Sequence, residues 1–469
     1  MKPTTDLLTH CASGTSHSTT RSVTGRASLR FRGLFLATCA CAALAGPALQ
    51  ASPDSRCPRP EPPVRFAVLS DTHLYDAKLG TTGSAFEAYI AADPKLLALS
   101  EPILDSALAE IIKSKVRFVI ISGDLTKDGE RVNHLKMVRH LERLERAGIQ
   151  VFVVPGNHDI NNHDAAAYSG DVATPIATIN EHEFRALYQR FGYGQAIDHA
   201  PDSLSYVAEP VPGLWLLALD SAKWAESAQS PHPVVSGRLT ASTMAWALKK
   251  IQQAEHHGKQ VVAFMHHGVN QHFFAEPTIF ADYLVDDWQN VSAQLAGAGL
   301  KVIFTGHYHS QDAAWPLDAT GTPQPTLCDI ETGSLIQFPC AYRTAELDSS
   351  GQLKIESHRI TQIAADLGGV PFQQYAEAYL RSLLPYQVTA ELEYLFGLPA
   401  DQAEAIAPIV VDALVANYAG DENPSDQTLA MLQWFLSQPE PSHTLGELLG
   451  SLWIDLPPGD NNLTVPVRG

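Results

Sequence analysis

The sequence predicts an α/β fold in which helices cover a layered sheet. Three observations predict it. Six short apolar runs have the character of strands buried on both faces. Between several of them, apolar residues recur at helical spacing. Five of the runs end at Asp, His or Asn, the edge at which sheets of this kind carry ligands.

The chain opens with a segment that is not part of that fold. Residues 1–33 are rich in Ser and Thr and carry Arg21, Arg26, Arg30 and Arg32. An apolar stretch over 34–45 follows, then Gly46-Pro47 and small residues up to Ala51. A basic region, a short apolar region and a small-residue site read as a secretory signal peptide over residues 1–51. The alternative is an uncleaved membrane anchor. Export to the periplasm or the extracellular space is therefore expected. Residues 52–63 are Pro-rich and read as a linker.

The regular pattern then begins. Strands are expected over 64–69, 116–121, 151–154, 214–219, 261–265 and 302–304. One helix shows Ile103, Leu104, Ala107, Leu108, Ile111 and Ile112 as its apolar stripe. A second shows Val132, Leu135, Val138, Leu141 and Leu144, closed by Gly148 as a C-terminal cap signal. On that helix His134 and His140 are expected to be solvated. Long connections at 74–102 and 160–205 interrupt the rhythm, and loops of this length are usually functional or partly structured. The α/β domain is taken as 64–364. After about residue 350 only short helical patterns remain, at 375–384, 390–396, 402–418, 426–436 and 445–452. Residues 365–469 are read as a helical C-terminal region without strands.

Composition limits the function classes. Of 469 residues 45% are hydrophobic and 18% charged, enough to bury a large core. No apolar run is long enough for a transmembrane helix. The net charge of −19 argues against a general nucleic-acid binder, which would carry a basic face. Clefts can oppose the global sign, so anionic substrates stay open. Cys328 and Cys340 are close enough in sequence to pair, leaving Cys57 odd; the alternative is two buried thiols.

The strand ends carry the chemistry. The first leads into Asp71-Thr72-His73, the second into Gly123-Asp124, and the third into Gly156-Asn157-His158-Asp159. Two later ones lead into His266-His267 and Gly306-His307-Tyr308-His309. Each motif alone has a structural explanation, as a turn, a helix cap or a packed histidine. Five such ends in one sheet rim make a site. Asp, His and Asn are oxygen and nitrogen donors, and no cysteine is among them. That selects Zn, Mn or Fe over soft-metal chemistry. Seven candidate ligands exceed one tetrahedral ion. They suit two ions about 3.5–4 Å apart, which need a bridging carboxylate. With only Asp71 and Asp124 anionic, such a centre keeps a positive surplus that favours a phosphate ester.

These motifs resemble the full signature of the calcineurin-like metallophosphoesterases, over about residues 64–345. Ser122–Glu130, Val153–Asn161 and Thr332–Pro339 are most similar to bacterial exported members related to class III cyclic-nucleotide phosphodiesterases. The resemblance implies a four-layer α/β/β/α sandwich. It implies Asp71, His73 and His309 on one metal, Asn157, His266 and His307 on the other, and Asp124 bridging. His158 would face the leaving group as a catalytic residue, held by Asp159 or a backbone group. His267 would stand behind or beside the site. The implied reaction is in-line attack on phosphorus by hydroxide whose pKa the two ions lower. The purple acid phosphatase variant needs a tyrosine at the position of Lys127, so that coloured site is not expected.

The expected substrate is a small phosphate ester, with phosphodiesters favoured by the resemblance. A phosphomonoesterase or nucleotidase is the alternative on the same scaffold. A catalytically silent binding protein would show decay of the ligand set, and all seven ligands are present. Trp215, Trp246 and Trp288 are read as core rather than as a base-stacking platform. His256 and His257 are read as solvated, and His163 and His272 as rim candidates.

Overall fold

The computed structural model describes residues 63–468. The expected leader, Cys57 and all but the last residue of the linker lie outside the described residues.

Two sheets form the centre. The first has six strands in the order Asn462–Pro466, Gln352–Arg359, Ala341–Leu347, Val64–Leu69, Phe118–Ile121 and Gln150–Val153. The second has seven, in the order Asp312–Ala314, Cys328–Glu331, Val302–Thr305, Gln260–Phe264, Leu214–Ala218, Tyr206–Val211 and Asp198–His199. All six expected strands form. They pair in parallel within each sheet, which brings their carboxyl ends to one edge. Antiparallel strands extend both sheets outward.

Side-chain alternation builds the layers. Leu216, Ala218, Val262, Phe264, Val302 and Phe304 face the first sheet, in the larger core. Phe304 meets Phe66 of the first sheet edge-on at 5.9 Å. Leu217, Ala263, Met265 and Ile303 face the other way and pack under the helices Ala241–His256 and Trp288–Gly297. Trp215, Trp246 and Trp288 belong to that second core, as expected. The helices Ser100–Lys113 and Arg131–Arg146 serve the first sheet. The result is the four-layer α/β/β/α sandwich.

The helix Arg131–Arg146 departs from expectation. Its buried face is Asn133, His134, Met137, His140, Leu141 and Leu144, one position round from the apolar stripe. Val132 is exposed. His134 and His140 are therefore buried, not solvated. Polar partners explain the rotation. His134 Nδ1 lies 2.8 Å from the Tyr188 hydroxyl, and its Nε2 donates to the Asp159 carbonyl at 2.8 Å.

The C-terminal region is helical but not free of strands. Asn462–Pro466 adds to the edge of the first sheet against Gln352–Arg359, which the sequence reading also missed. Both alternate, but each buries only two apolar residues, Leu463 and Val465 in one and Leu353 and Ile355 in the other, too short a pattern to mark a strand by itself. The expected helices 375–384 and 390–396 are one helix, Phe372–Phe396, with Pro385 inside it. An internal proline costs about 3 kcal/mol. The buried stripe Phe372, Ala376, Leu380, Leu384, Val388 and Leu392 outweighs it. Each buried Leu or Val contributes about 1.5–3 kcal/mol. The region is docked: Gln373 Nε2 donates to the Pro339 carbonyl, and Gln311 N donates to the Tyr418 carbonyl.

Cys328 and Cys340 are both free and buried, so the two-thiol alternative holds. Cys328 starts a strand of the second sheet, whereas Cys340 directly precedes one of the first. Among the described residues no helix is long and apolar enough to cross a membrane.

Candidate metal centre

All eight expected site residues meet at the carboxyl edge of the two sheets. Asp71 and His73 follow Val64–Leu69, and Asp124 follows Phe118–Ile121. Asn157 and His158 follow Gln150–Val153, His266 follows Gln260–Phe264, and His307 and His309 follow Val302–Thr305. The backbone is strained to achieve this. Asp71, His73, Asp124, His307 and His309 have φ of 49°, 34°, 48°, 79° and 73°. Left-handed backbone costs a residue with a Cβ about 1–2 kcal/mol. Strain of this kind persists where the surroundings over-determine it. Here it turns each side chain back over the end of its strand.

Two glycines permit the close approach. A Cβ on Gly156 would collide with the Asp124 carboxylate, and one on Gly306 with Ser70 and the Asp71 carboxylate. Neither glycine has positive φ, so space rather than backbone freedom excludes a side chain at both.

The donor atoms form overlapping groups that could hold a cation: Asp71, His73 and His309; His73, Asp124 and His158; Asp124, His266 and His307. His73 Nε2 lies 3.7 Å from Asp71 Oδ1 and 3.3 Å from His309 Nε2. His309 Nε2 lies 3.3 Å from Asp71 Oδ1. On the other side His266 Nε2 is 3.2 Å from Asp124 Oδ2 and 2.9 Å from Asn157 Oδ1. Asp124 Oδ2 is also 3.6 Å from His73 Nε2, so it touches both halves.

Bonds behind the histidines fix their tautomers. His266 Nδ1 donates to the Ser122 carbonyl at 2.8 Å, and His309 Nδ1 to Gln337 Oε1 at 3.0 Å. Each Nε2 is left to present a lone pair inward, the usual arrangement of a metal-ligating imidazole. The inward atoms are then mostly electron-pair donors facing one another. Asp71 Oδ1 and His307 Nε2 are buried without a hydrogen-bond partner. Buried polar atoms are seldom left so. The residues therefore fit two cations, with Asp124 between them.

The electrostatics agree. Burial alone would raise Asp124, but His266, His158 and His73 hold it well below the usual carboxylate range. Burial opposes charge on His266, yet Asp124 raises it to about 9. The shared Asp124 carboxylate thus favours positive charge at this point of the rim.

His158 differs from the others. Its side chain is 21% exposed, whereas those of His73 and His266 are at 1% and 0%, so it opens toward solvent. Its Nε2 is 4.0 Å from Asp124 Oδ2. Its Nδ1 lies 2.8 Å from Asp128 Oδ1. Asp159 does not hold it. The Asp159 carboxylate instead accepts from the backbone N–H of Leu125, Thr126 and Gly156 at 3.0–3.1 Å, tying the second motif to the third. Asp128 was the residue missed by sequence reasoning. Its signal was a place four residues after Asp124, within the Ser122–Glu130 stretch.

The remaining histidines sort by their partners. His267 uses both ring nitrogens on Ser221 Oγ and the Val235 carbonyl, so it backs the site without facing it. His163 is exposed and donates to the Ser227 carbonyl. His272 is buried between Asp312 and Asp329, away from the rim. His256 and His257 are exposed, as expected.

Known proteins bear on this geometry. The family model for the calcineurin-like phosphoesterases matches residues 64–311. A search of curated proteins finds no match. Among solved structures, a dimetal phosphatase from Danio rerio aligns at 15% identity and a TM-score of 0.43, over 64% of this chain and 97% of that one. A purple acid phosphatase from yellow lupin seeds aligns at 11% identity and a TM-score of 0.42, over 65% and 53%. With the family model covering more than half of its length, the chain belongs to the calcineurin-like phosphoesterase family.

Proposed function

We propose that this protein hydrolyses phosphate esters at a two-metal centre, with phosphodiesters as its substrates. Its family is one of metal-dependent phosphoester hydrolases. The observation that carries the reading is the convergence of two sets of donor atoms on a shared Asp124. In this reading Asp71, His73 and His309 hold one ion. Asn157, His266 and His307 would hold the other, with Asp124 shared between the two sets. When bound, the pair supplies Lewis acidity and lowers the pKa of water, with Mn, Zn or Fe compatible with the donors.

The chain's own groups do the rest. His158 reaches the open side of the centre, where a departing oxygen would emerge. Asp128 accepts from Nδ1–H and thereby orients Nε2 to donate to that oxygen. Asp159 fixes the loop that carries both Asn157 and His158. Gln337 and Ser122 hold the rings of His309 and His266.

The preference for diesters rests on the likeness of residues 122–130, 153–161 and 332–339 to the cyclic-nucleotide phosphodiesterase group. Export directed by residues 1–51 belongs to the same proposal, and N-terminal sequencing of the protein from its own host checks it.

The test is reconstitution with Mn²⁺, Zn²⁺ or Fe²⁺, a metal count, and turnover of an aryl phosphodiester beside its monoester. About two ions per chain with faster diester hydrolysis is the expected result. Faster monoester hydrolysis would move the enzyme to the phosphomonoesterase class. Two ions with no turnover of either ester would favour a binding protein.

A further inference from the structure

The two long connections, 74–102 and 160–205, meet at one lysine, and each brings a tyrosine to it. The first carries the helix Ser84–Ala92, and with it Tyr89. The second carries the hairpin of Ala166–Ser169 and Val172–Pro175, and with it Tyr168. The connections dock on each other. Ala85 N donates to the Gly170 carbonyl at 3.1 Å, and the Tyr168 ring meets those of Phe86 and Tyr89 at 5.5 and 5.8 Å. The Lys127 ammonium lies 3.9 Å from the centre of the Tyr89 ring and 5.4 Å from that of Tyr168. Lys127 is 1% exposed, an unusual degree of burial for a lysine. A desolvated ammonium is attracted by aromatic faces at such distances.

The same ammonium grips the loop behind His158. It bonds Asp128 Oδ2 and lies 3.4 Å from Glu130 Oε1. The Asp128 carboxylate is thereby held at both oxygens. Oδ2 takes Lys127, and Oδ1 accepts from His158 Nδ1 at 2.8 Å and from Asn162 Nδ2 at 3.3 Å. Asn162 itself belongs to the second connection. The terminal torsion of a carboxylate is broad and offers little resistance by itself. With the ammonium on Oδ2, turning the group would break a buried charge-assisted bond, the strong kind. Oδ1 therefore stays on the imidazole.

We propose that Lys127 is a positioning residue: braced by Tyr89 and Tyr168, it locks Asp128 in the orientation that aims His158 at the departing oxygen. The two long connections act on the reaction through this grip. The inference rests on the phosphoesterase reading above, in which His158 donates to that oxygen. Such a donation counts most when the leaving group is a poor one and least when it departs readily as an anion. A lysine that merely stabilised the fold would show no such dependence.

The experiment compares wild type, Lys127→Met, Lys127→Arg, Tyr89→Leu, Asp128→Asn and the double variant of Lys127→Met with Asp128→Asn. Each is loaded with Zn²⁺ and its metal counted. Two series are turned over, methyl aryl phosphodiesters and aryl phosphomonoesters, with leaving groups from 4-nitrophenol to phenol. The second readout is the Nδ1–H signal of His158 in protein carrying nitrogen-15 histidine, assigned by its absence from His158→Ala. Lys127→Met is expected to keep both ions and an unchanged KM. Its kcat should fall about tenfold for phenyl esters and less than about twofold for 4-nitrophenyl esters, a part of what a positioned general acid contributes. Its His158 signal should broaden or vanish. Lys127→Arg keeps the charge and should recover part of both. Tyr89→Leu should move both in the same direction by less. The double variant should lose no more than Asp128→Asn alone. An equal loss across leaving groups, an unchanged His158 signal, or loss of metal from Lys127→Met would each overturn the proposal. If Lys127→Met does not fold, the same two readouts on Tyr89→Leu decide. Wild type that binds two ions but hydrolyses neither series would fail the reading beneath, and the His158 signal would still decide the place of Lys127.

Discussion

The His158 imidazole and the Asp128 carboxylate form a 2.8 Å pair at the mouth of the centre, with Asp128 itself buried and bonded to Lys127. Burial would raise Asp128, but the Lys127 ammonium and the His158 bond hold it below the usual carboxylate range. It therefore stays ionised and keeps Nδ1 of His158 protonated. An aspartate that orients a histidine acts through it, and its loss should resemble the loss of the histidine. Asp128→Asn and His158→Ala should each lower kcat by about 10²–10³-fold. The double variant should lose little more than His158→Ala alone. Metal content should stay at the wild-type count in all three, and a strictly additive double variant would count against the pairing.

Asp124 touches both halves of the centre, at 3.6 Å from His73 Nε2 and 3.2 Å from His266 Nε2. Removing it deletes the one anion the two ions would share. Asp124→Ala should lose at least one metal per chain together with activity. Metal analysis after gel filtration reads this directly. Retention of both ions would place the bridge elsewhere.

His134 predicts an acid limb of stability. Burial lowers its pKa from 6.5 to about 3, against the smaller opposing effect of its bond to the Asp159 carbonyl. The folded chain thus holds His134 neutral while the unfolded chain protonates it below pH 6.5. The unfolded state binds more protons in that window. This contribution to stability is complete above pH 6.5 and is lost as pH falls toward 3, at about 1.4 kcal/mol per pH unit. Denaturant melts between pH 7 and 4 should show a shallower decline for His134→Gln than for wild type.

Cys328 on a strand of the second sheet and Cys340 just before a strand of the first are buried thiols, and burial raises the pKa of both. Thiolate is the reactive form. Neither should react with a thiol reagent in the folded protein, and both should react in denaturant. A reducing agent should leave Tm unchanged. A drop in Tm on reduction would reveal a bridge.

The last strand ties the C-terminal region into the first sheet, and Arg343 at its heart depends on that closure. The fully buried Arg343 donates to the carbonyls of Asp460, Asp312 and Glu331. Deleting residues 460–469 removes one of these acceptors and leaves Leu353 and Ile355 without their partner strand. A hydrogen bond from a charged group contributes about 1.5–3 kcal/mol, and the loss of the packed strand adds to it. The truncated chain should melt markedly lower or aggregate, as thermal scattering would record. A soluble, fully active product would show that the region only decorates the fold.

The sequence by itself determined the central strands, their α/β arrangement and the eight residues found at the rim. Those features are local. A strand buried on both faces reads as an apolar run, and a ligand at its end reads as a short polar motif. What tertiary structure decided is whatever depends on a partner remote in sequence. His134 and His140 turned inward because Tyr188, Asp159 and the acidic side chains of Glu101 and Asp105 waited there. Phe372–Phe396 ran through Pro385 because its stripe found a core. Asn462–Pro466 became a strand because an edge was open to it. Asp128 entered the site through a folded loop, and no periodicity in the sequence marks where a loop returns.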